Sequence, residues 1–309
     1  MTSQQTTRLL DPVLLAQIDR LEFRAKHVVE GYLTGMHKSP YHGFSVEFAA
    51  HREYVPGDDI RHIDWRVWAR ADRYYIKQYE EETNLRCMLL LDCSKSMGYR
   101  SQDDGKDLGK FDLAATLAAS LAWFMQKQHD AAGLVMFDDA VRASLPPSSH
   151  HVGLQRILEQ IESTPLARQT DASSCFRELA AQIPTRCVVV LVSDLFMPAA
   201  DLLAGIRDFR QRKCEVVVMH TLHADEVDFP FTQQTLFRGL EGAAQVLGDG
   251  RALRRPYLRE MERFLARTRE VCSSCGADYV PVHGTRGLVS GLTGYLVARS
   301  RRATGGTRR

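Results

Sequence analysis

The sequence predicts an α/β protein built on a doubly wound, mainly parallel sheet, with a small mixed α/β region ahead of it. Three observations carry this. The runs "RCMLLLD", "GLVMF", "RCVVVLVSD" and "CEVVVMHTL" are short and almost wholly apolar, as strands are when helices cover both faces of a sheet. Stretches of helical period separate most of them, at 111–128, about 150–162, 174–183 and 199–212, which is the alternation of a doubly wound domain. The exception, "GLVMFDDAVRASL", joins two strands through Asp138 and Asp139 and predicts one antiparallel edge strand.

Ahead of these strands, Asp11 followed by Pro12 reads as a helix start, aspartate capping free amides and proline tolerating the first helical position. Leu14, Ile18, Leu21, Ala25, Val28 and Tyr32 then recur at threes and fours, so this helix ends near Gly35 with one face to bury. Phe44, Val46 and Phe48 alternate with polar residues as a half-exposed strand does. "VPGDDIRHIDWRVWARAD" predicts a turn and a short helix carrying Trp65 and Trp68, and "RYYIKQYEEE" resumes strand character. Residues 1–84 thus form the small region, 85–298 the sheet domain, and 299–309 a disordered basic tail.

Within the sheet domain, the helix at 111–128 is apolar nearly all round and needs covering on more than its sheet side. The N-terminal region is the expected cover. Further on, Gln234–Leu240 and Ala244–Leu247 predict a hairpin, Pro256–Cys275 a long helix opening at its proline, "ADYVPVH" a last strand, and Leu288–Arg299 a closing helix.

Composition sets outer bounds. With 44% hydrophobic and 25% charged residues in 309, the chain holds enough apolar material for one large core and a satellite. The formal net charge is +2, and five arginines without an acid lie between Arg299 and Arg309, so the rest of the chain is net acidic. A nucleic-acid-binding body is not indicated. No signal-peptide core and no apolar run of membrane-spanning length occurs, which predicts a cytoplasmic protein without a transmembrane segment. Seven cysteines, scattered mostly in apolar strands, fit reduced core thiols; Cys272 and Cys275 form one CxxC with no second pair at zinc-site spacing.

In open α/β sheets, ligands sit beyond the carboxyl ends of the strands. Asp92 ends the strand "CMLLL", Asp194 ends "VVVLVS", and Thr170 with Asp171 lies in the loop before the helix that leads into the second strand. Together with Ser94 and Ser96 they form a set of hard oxygen donors, suited to Mg2+ or Mn2+ and poorly suited to zinc or copper. Three hydroxyls and two carboxylates leave an octahedral ion one exchangeable position, which an incoming carboxylate can fill. The plainer alternative is that Ser94 and Asp171 only cap turns or helices. Placement at matching strand ends favours the metal site.

"LDCSKSM", "QTD" and "LVSD" resemble the metal-ion-dependent adhesion site of von Willebrand factor A domains, and "YVPGDDIRHIDWRVWARADRYYIKQYEEE" resembles the signature of the bacterial domain-of-unknown-function 58 family. The resemblance extends from about residue 40 to about 298. It implies that Ser94, Ser96 and Thr170 bind the ion directly, that Asp92 and Asp194 act mainly through water, and that the protein is an adaptor working with a MoxR-type AAA+ ATPase on client proteins. The chain itself has no GxxxxGK[ST] loop, so ATP hydrolysis would belong to the partner.

The signature's Asp58, Asp59, Arg61, Asp64 and Arg70 read either as a docking surface or, preferably, as an internal salt-bridge set beside two tryptophans that want burial. The competing function is a Mg-dependent hydrolase or phosphotransfer enzyme. Against it, Ser94 stands where an aspartyl-phosphate phosphatase needs a second acid, and neither GxSxG nor HExxH occurs. Cys93 has only Lys95 near it in sequence to lower its pKa.

Overall fold

The computed structural model describes residues 20–36, 51–53, 75–77, 85–101, 107–166, 175–240 and 245–295. The chain divides into two compact units, one formed from 1–37 and 85–309 and the other from 38–84. In the smaller unit, β1 (His51–Glu53) pairs antiparallel with β2 (Tyr75–Lys77). The expected strand at 44–48, the helix carrying Trp65 and Trp68, and the charged set from Asp58 to Arg70 lie outside the described residues.

The larger unit is organised by a six-stranded sheet of β3 (Arg86–Asp92), β4 (Ala131–Phe137), β5 (Val141–Ser148), β6 (Val188–Ser193), β7 (Glu215–Leu222) and β10 (Asp278–His283), in the order β10-β7-β6-β3-β4-β5. All neighbours run parallel except β4 and β5, so the single antiparallel edge strand stands where Asp138 and Asp139 predicted it. The chain steps outward from β3 to β5 and then crosses back to β6, which makes β3 and β6 neighbours and the gap between their carboxyl ends the switch point.

Residues alternate across β3. Cys87, Leu89 and Leu91 enter one apolar cluster, while Met88 and Leu90 enter the other. The first face is covered by α1 (Leu21–Met36), α2 (Lys110–Lys127), α3 (His151–Ser163) and the helix at 287–295; the second by α4 (Cys175–Gln182), α5 (Ala199–Gln211) and the C-terminal part of α7 (Gly250–Ser274). Each central strand is therefore buried on both sides, which is why it reads as an unbroken apolar run. By contrast β5 alternates between half-buried and exposed, as an edge strand packed on one side should.

The all-round apolar α2 receives the second cover it requires. Leu21, Ala25, Val28 and Val29 of α1 join the cluster that contains Leu113, Leu117 and Leu121. An Arg24–Asp112 ion pair at 3.8 Å and a hydrogen bond from the Leu21 amide to Glu162 Oε1 at 3.0 Å fix where α1 lies. Helix α1 thus belongs to the large unit.

A short α6 (Ala224–Asp228) and a hairpin of β8 (Gln234–Arg238) and β9 (Gln245–Asp249) lie between β7 and α7. Helix α7 begins at Gly250 and not at Pro256, because Asp249 caps it by accepting a hydrogen bond from the Arg251 amide at 3.0 Å. All seven cysteines are free thiols, six of them buried. Among the described residues no helix is long and apolar enough to cross a membrane.

Candidate functional site

Strand β3 ends at Asp92 because the chain turns there. Asp92 Oδ1 accepts a hydrogen bond from the Ser94 amide at 2.8 Å, an aspartate turn that leads into the 3-10 helix Lys95–Gly98. That turn brings the Ser94 and Ser96 hydroxyls within 2.9 Å of each other. On the neighbouring strand, the Ser193 hydroxyl donates to Asp92 Oδ2 at 2.6 Å and accepts from the Leu195 amide at 3.0 Å. The register sets Leu91 opposite Val192, so Asp194 emerges next to Asp92 at the same sheet edge.

Both carboxylates are buried, Asp92 at 3% and Asp194 at 2% exposure. Burial, and then the charge of Asp194, push the Asp92 carboxyl up to about 7. Asp92 has only hydroxyl and amide partners among the described residues, with no cation beside it.

Asp194 has a cation. Lys110, the first residue of α2 and only 1% exposed, places its ammonium 2.8 Å from Asp194 Oδ2 and 2.8 Å from Glu226 Oε1. Burial would lower the lysine pKa, but Asp194 and Glu226 outweigh it, so the ammonium is held above its ordinary value. The ring of Phe196 lies 4.9 Å from the same nitrogen. Glu226 is itself fixed by a capping box at the start of α6: its Oε2 accepts from the His223 amide at 2.8 Å, while His223 Nδ1 accepts from the Asp225 amide at 3.1 Å. The Tyr99 hydroxyl donates to Asp225 at 3.0 Å and ties the loop after β3 to α6.

Sequence reasoning missed Lys110 and Glu226. A signal existed: a lysine opening an otherwise apolar helix stands at the helix end whose dipole disfavours cations, so it needs acidic partners from elsewhere. Behind the site, His220 on β7 bonds the Asp194 carbonyl through Nε2 and the Tyr279 hydroxyl through Nδ1, both at 2.8 Å. Leu195 takes a left-handed conformation, with φ 56°, and turns the chain sharply after Asp194.

The structure therefore brings Asp92, Ser94, Ser96 and Asp194 to one sheet edge. Thr170 and Asp171 lie outside the described residues. Among the described residues there is no cluster of three or more His, Cys, Asp or Glu side chains poised to hold a metal. The donors at this edge are instead two carboxylates and two serine hydroxyls, a set that fits a hard divalent ion. Asp194 Oδ2 already meets the Lys110 ammonium at 2.8 Å, so of the two carboxylates it is Asp92 that has no cation among the described residues. Cys93 does not supply a nucleophile: its thiol donates to the Phe137 carbonyl at 3.2 Å, and burial followed by the charges of Asp138 and Asp92 pushes it up to about 12.

A family model described as "Protein of unknown function DUF58" matches residues 50–266. The uncharacterized protein Rv1480 of Mycobacterium tuberculosis is 24% identical over 300 residues, spanning 96% of this chain and 93% of its own length. Among solved structures, an aerotolerance-related membrane protein from Bacteroides fragilis aligns with a TM-score of 0.49 at 17% identity, covering 70% of this chain and 99% of its own. The SpRpn10 VWA domain aligns at 0.36 and 10% identity, covering 68% and 93% respectively.

Proposed function

The chain belongs to the DUF58 family, and we propose that it works as a non-enzymatic, protein-binding adaptor whose grip on a partner depends on a divalent ion. The observation that carries this reading is the meeting of Asp92, Ser94, Ser96 and Asp194 at the carboxyl edge of two adjacent strands, with one buried carboxylate left without a cation. Ser94 and Ser96, with Thr170 as a third hydroxyl, are the direct ligands in this proposal; Asp92 and Asp194 act mainly through water, Asp92 bringing the charge that no described cation already meets, and Asp171 is an outer-sphere partner. When bound, Mg2+ or Mn2+ would supply positive charge and a coordination position open to a partner's carboxylate. The partner proposed from the sequence resemblance is a MoxR-type AAA+ ATPase, with a client protein, in the cytoplasm.

Calorimetric titration with MgCl2 and MnCl2 tests the site. Binding is expected in the wild type and lost in Asp92→Ala and in Ser94→Ala/Ser96→Ala. A pull-down of a purified MoxR-type ATPase, with and without EDTA, then tests the adaptor role, and assays on generic phosphoesters test the competing hydrolase. Ion binding with EDTA-sensitive capture and no turnover supports the adaptor. Turnover that vanishes in Asp92→Ala replaces it with the enzyme, and absence of both leaves a scaffold.

A further inference from the structure

Strands β6 and β7 are parallel neighbours, and a cysteine stands immediately before each of them. Val188 lies opposite Glu215 in the register, so Cys187 and Cys214 face each other across the start of the pair, where the Glu215 amide donates to the Cys187 carbonyl at 2.9 Å. Their sulfurs are 3.6 Å apart, and both residues are buried in the apolar cluster on the α4 and α5 side of the sheet. Cys187 lies 3.2 Å and Cys214 3.4 Å from the Pro184 carbonyl, so the two thiols converge on one point.

The backbone holds them there against its own preference. Arg186 and Lys213, the residues just before the two cysteines, both take the left-handed conformation, with φ 56° and 60°, which residues with a Cβ adopt rarely. The two turns are clasped together: the Arg186 amide donates to the Arg212 carbonyl at 3.1 Å, and the Arg212 guanidinium donates through Nη2 to the Ile183 carbonyl at 2.7 Å. Such a conformation persists where its surroundings over-determine it, so the sulfurs are fixed opposite each other. Thr185, Arg186 and Lys213 are exposed, which sets the pair just below the rim at the amino ends of the strands, far from the carboxyl edge that bears Asp194. The hydrogen bond from the Cys187 thiol outweighs burial and, with the charge of Arg212, lowers the Cys214 thiol to about 6, whereas burial pushes Cys93, Cys175 and Cys272 up to about 12.

We propose that Cys187 and Cys214 form a thiol-oxidation site, at which hydrogen peroxide converts the facing thiols into a reversible disulfide between β6 and β7. The Cα atoms of directly opposed residues on adjacent strands lie about 4.8 Å apart, inside the span that a disulfide bridges, and side-chain rotation closes the sulfurs from 3.6 Å to about 2.0 Å. The Cys214 thiolate attacks one peroxide oxygen: an S–O bond forms, the O–O bond breaks, and the departing hydroxide takes the proton that Cys214 released, leaving as water. The Cys187 sulfur then attacks the sulfur of the Cys214 sulfenic acid: the S–S bond forms, the S–O bond breaks, and the departing hydroxide leaves with the Cys187 proton as a second water. Two thiols thus give up two electrons, which reduce one peroxide to two waters. The CxxC of Cys272 and Cys275 suits this chemistry less well. It ends α7, where the helix dipole disfavours a thiolate, and the Cys275 sulfur faces the Leu203 carbonyl at 4.0 Å. This inference uses none of the metal-site residues and stands apart from the adaptor reading.

The test exposes the folded full chain to hydrogen peroxide, quenches it in acid, alkylates the remaining thiols with N-ethylmaleimide under denaturing conditions, and maps the peptides by mass spectrometry. Trypsin cuts after Arg186 and Lys213, so the two thiols fall in peptides 187–207 and 214–238. These should appear joined, lighter than their sum by two hydrogen atoms, and dithiothreitol should separate them. In Cys187→Ser, dimedone should trap a sulfenic acid at Cys214; in Cys214→Ser, labelling of Cys187 should be about tenfold lower or less. A circular dichroism melt identifies the folded variants, and the wild-type map stands without them. Peptides 187–207 and 214–238 recovered fully alkylated, after a peroxide dose that oxidises Cys275, overturn the inference. So does a bridge from either cysteine to any other, or sulfinic acid at Cys214 with Cys187 still a thiol.

Discussion

Lys110 shows how much a single side chain can hold together at this site. An ammonium this deeply buried is costly unless it is paired, and Asp194 and Glu226 meet it at 2.8 Å each. Lys110→Met would strand two carboxylates, so unfolding in urea should show a loss of about 3–5 kcal/mol. Adding Asp194→Asn and Glu226→Gln to that variant should restore part of the loss; no recovery would mean that the lysine matters for packing and not for charge. The placement of Asp92, Ser94, Ser96 and Asp194 at one sheet edge was legible in the sequence because each lies within four residues of the end of an apolar strand. The place of Lys110 at the start of an apolar helix called for acidic partners but did not say which, because Glu226 lies 116 positions away and no local pattern announces it.

At the scale of elements, α7 shows where a sound local rule loses to another. Pro256 suits the first turn of a helix, yet the helix starts at Gly250, since the Asp249 cap and the end of β9 leave the chain already wound. The proline is then accommodated inside the second turn. Gly250 stands at that junction because a Cβ there would lie 2.5 Å from the Phe231 carbonyl oxygen, a backbone atom that cannot swing aside. Alanine is favoured over glycine in helices by about 1 kcal/mol, so propensity alone predicts that Gly250→Ala stabilises. The steric conflict should win and cost about 1–3 kcal/mol, read as a lower urea midpoint; a raised midpoint would show that the hairpin yields. The need of α2 for a second cover was plain from its composition. That α1 supplies it, locked by Arg24 and Glu162, needed the packed structure.

For the whole molecule, stability should be graded from the centre of the sheet outward. The residues of β6, and all of β3 after its first, are buried, whereas β5 and the β8–β9 hairpin alternate or stand exposed. Amide exchange should therefore be slowest in β3 and β6 and much faster in the hairpin and along β5. Uniform protection would mean that the hairpin unfolds only with the core. Short apolar runs, helical periods and one Asp-Asp turn were enough to determine the doubly wound sheet, its antiparallel edge and the strand ends bearing Asp92 and Asp194, because these depend on neighbours within a few residues. Only the tertiary structure decided that a buried lysine pairs with Asp194 and that α1 covers α2. Those arrangements arise from charge and shape meeting across long stretches of chain, where pairing and burial act on distance in space and leave no period in the sequence.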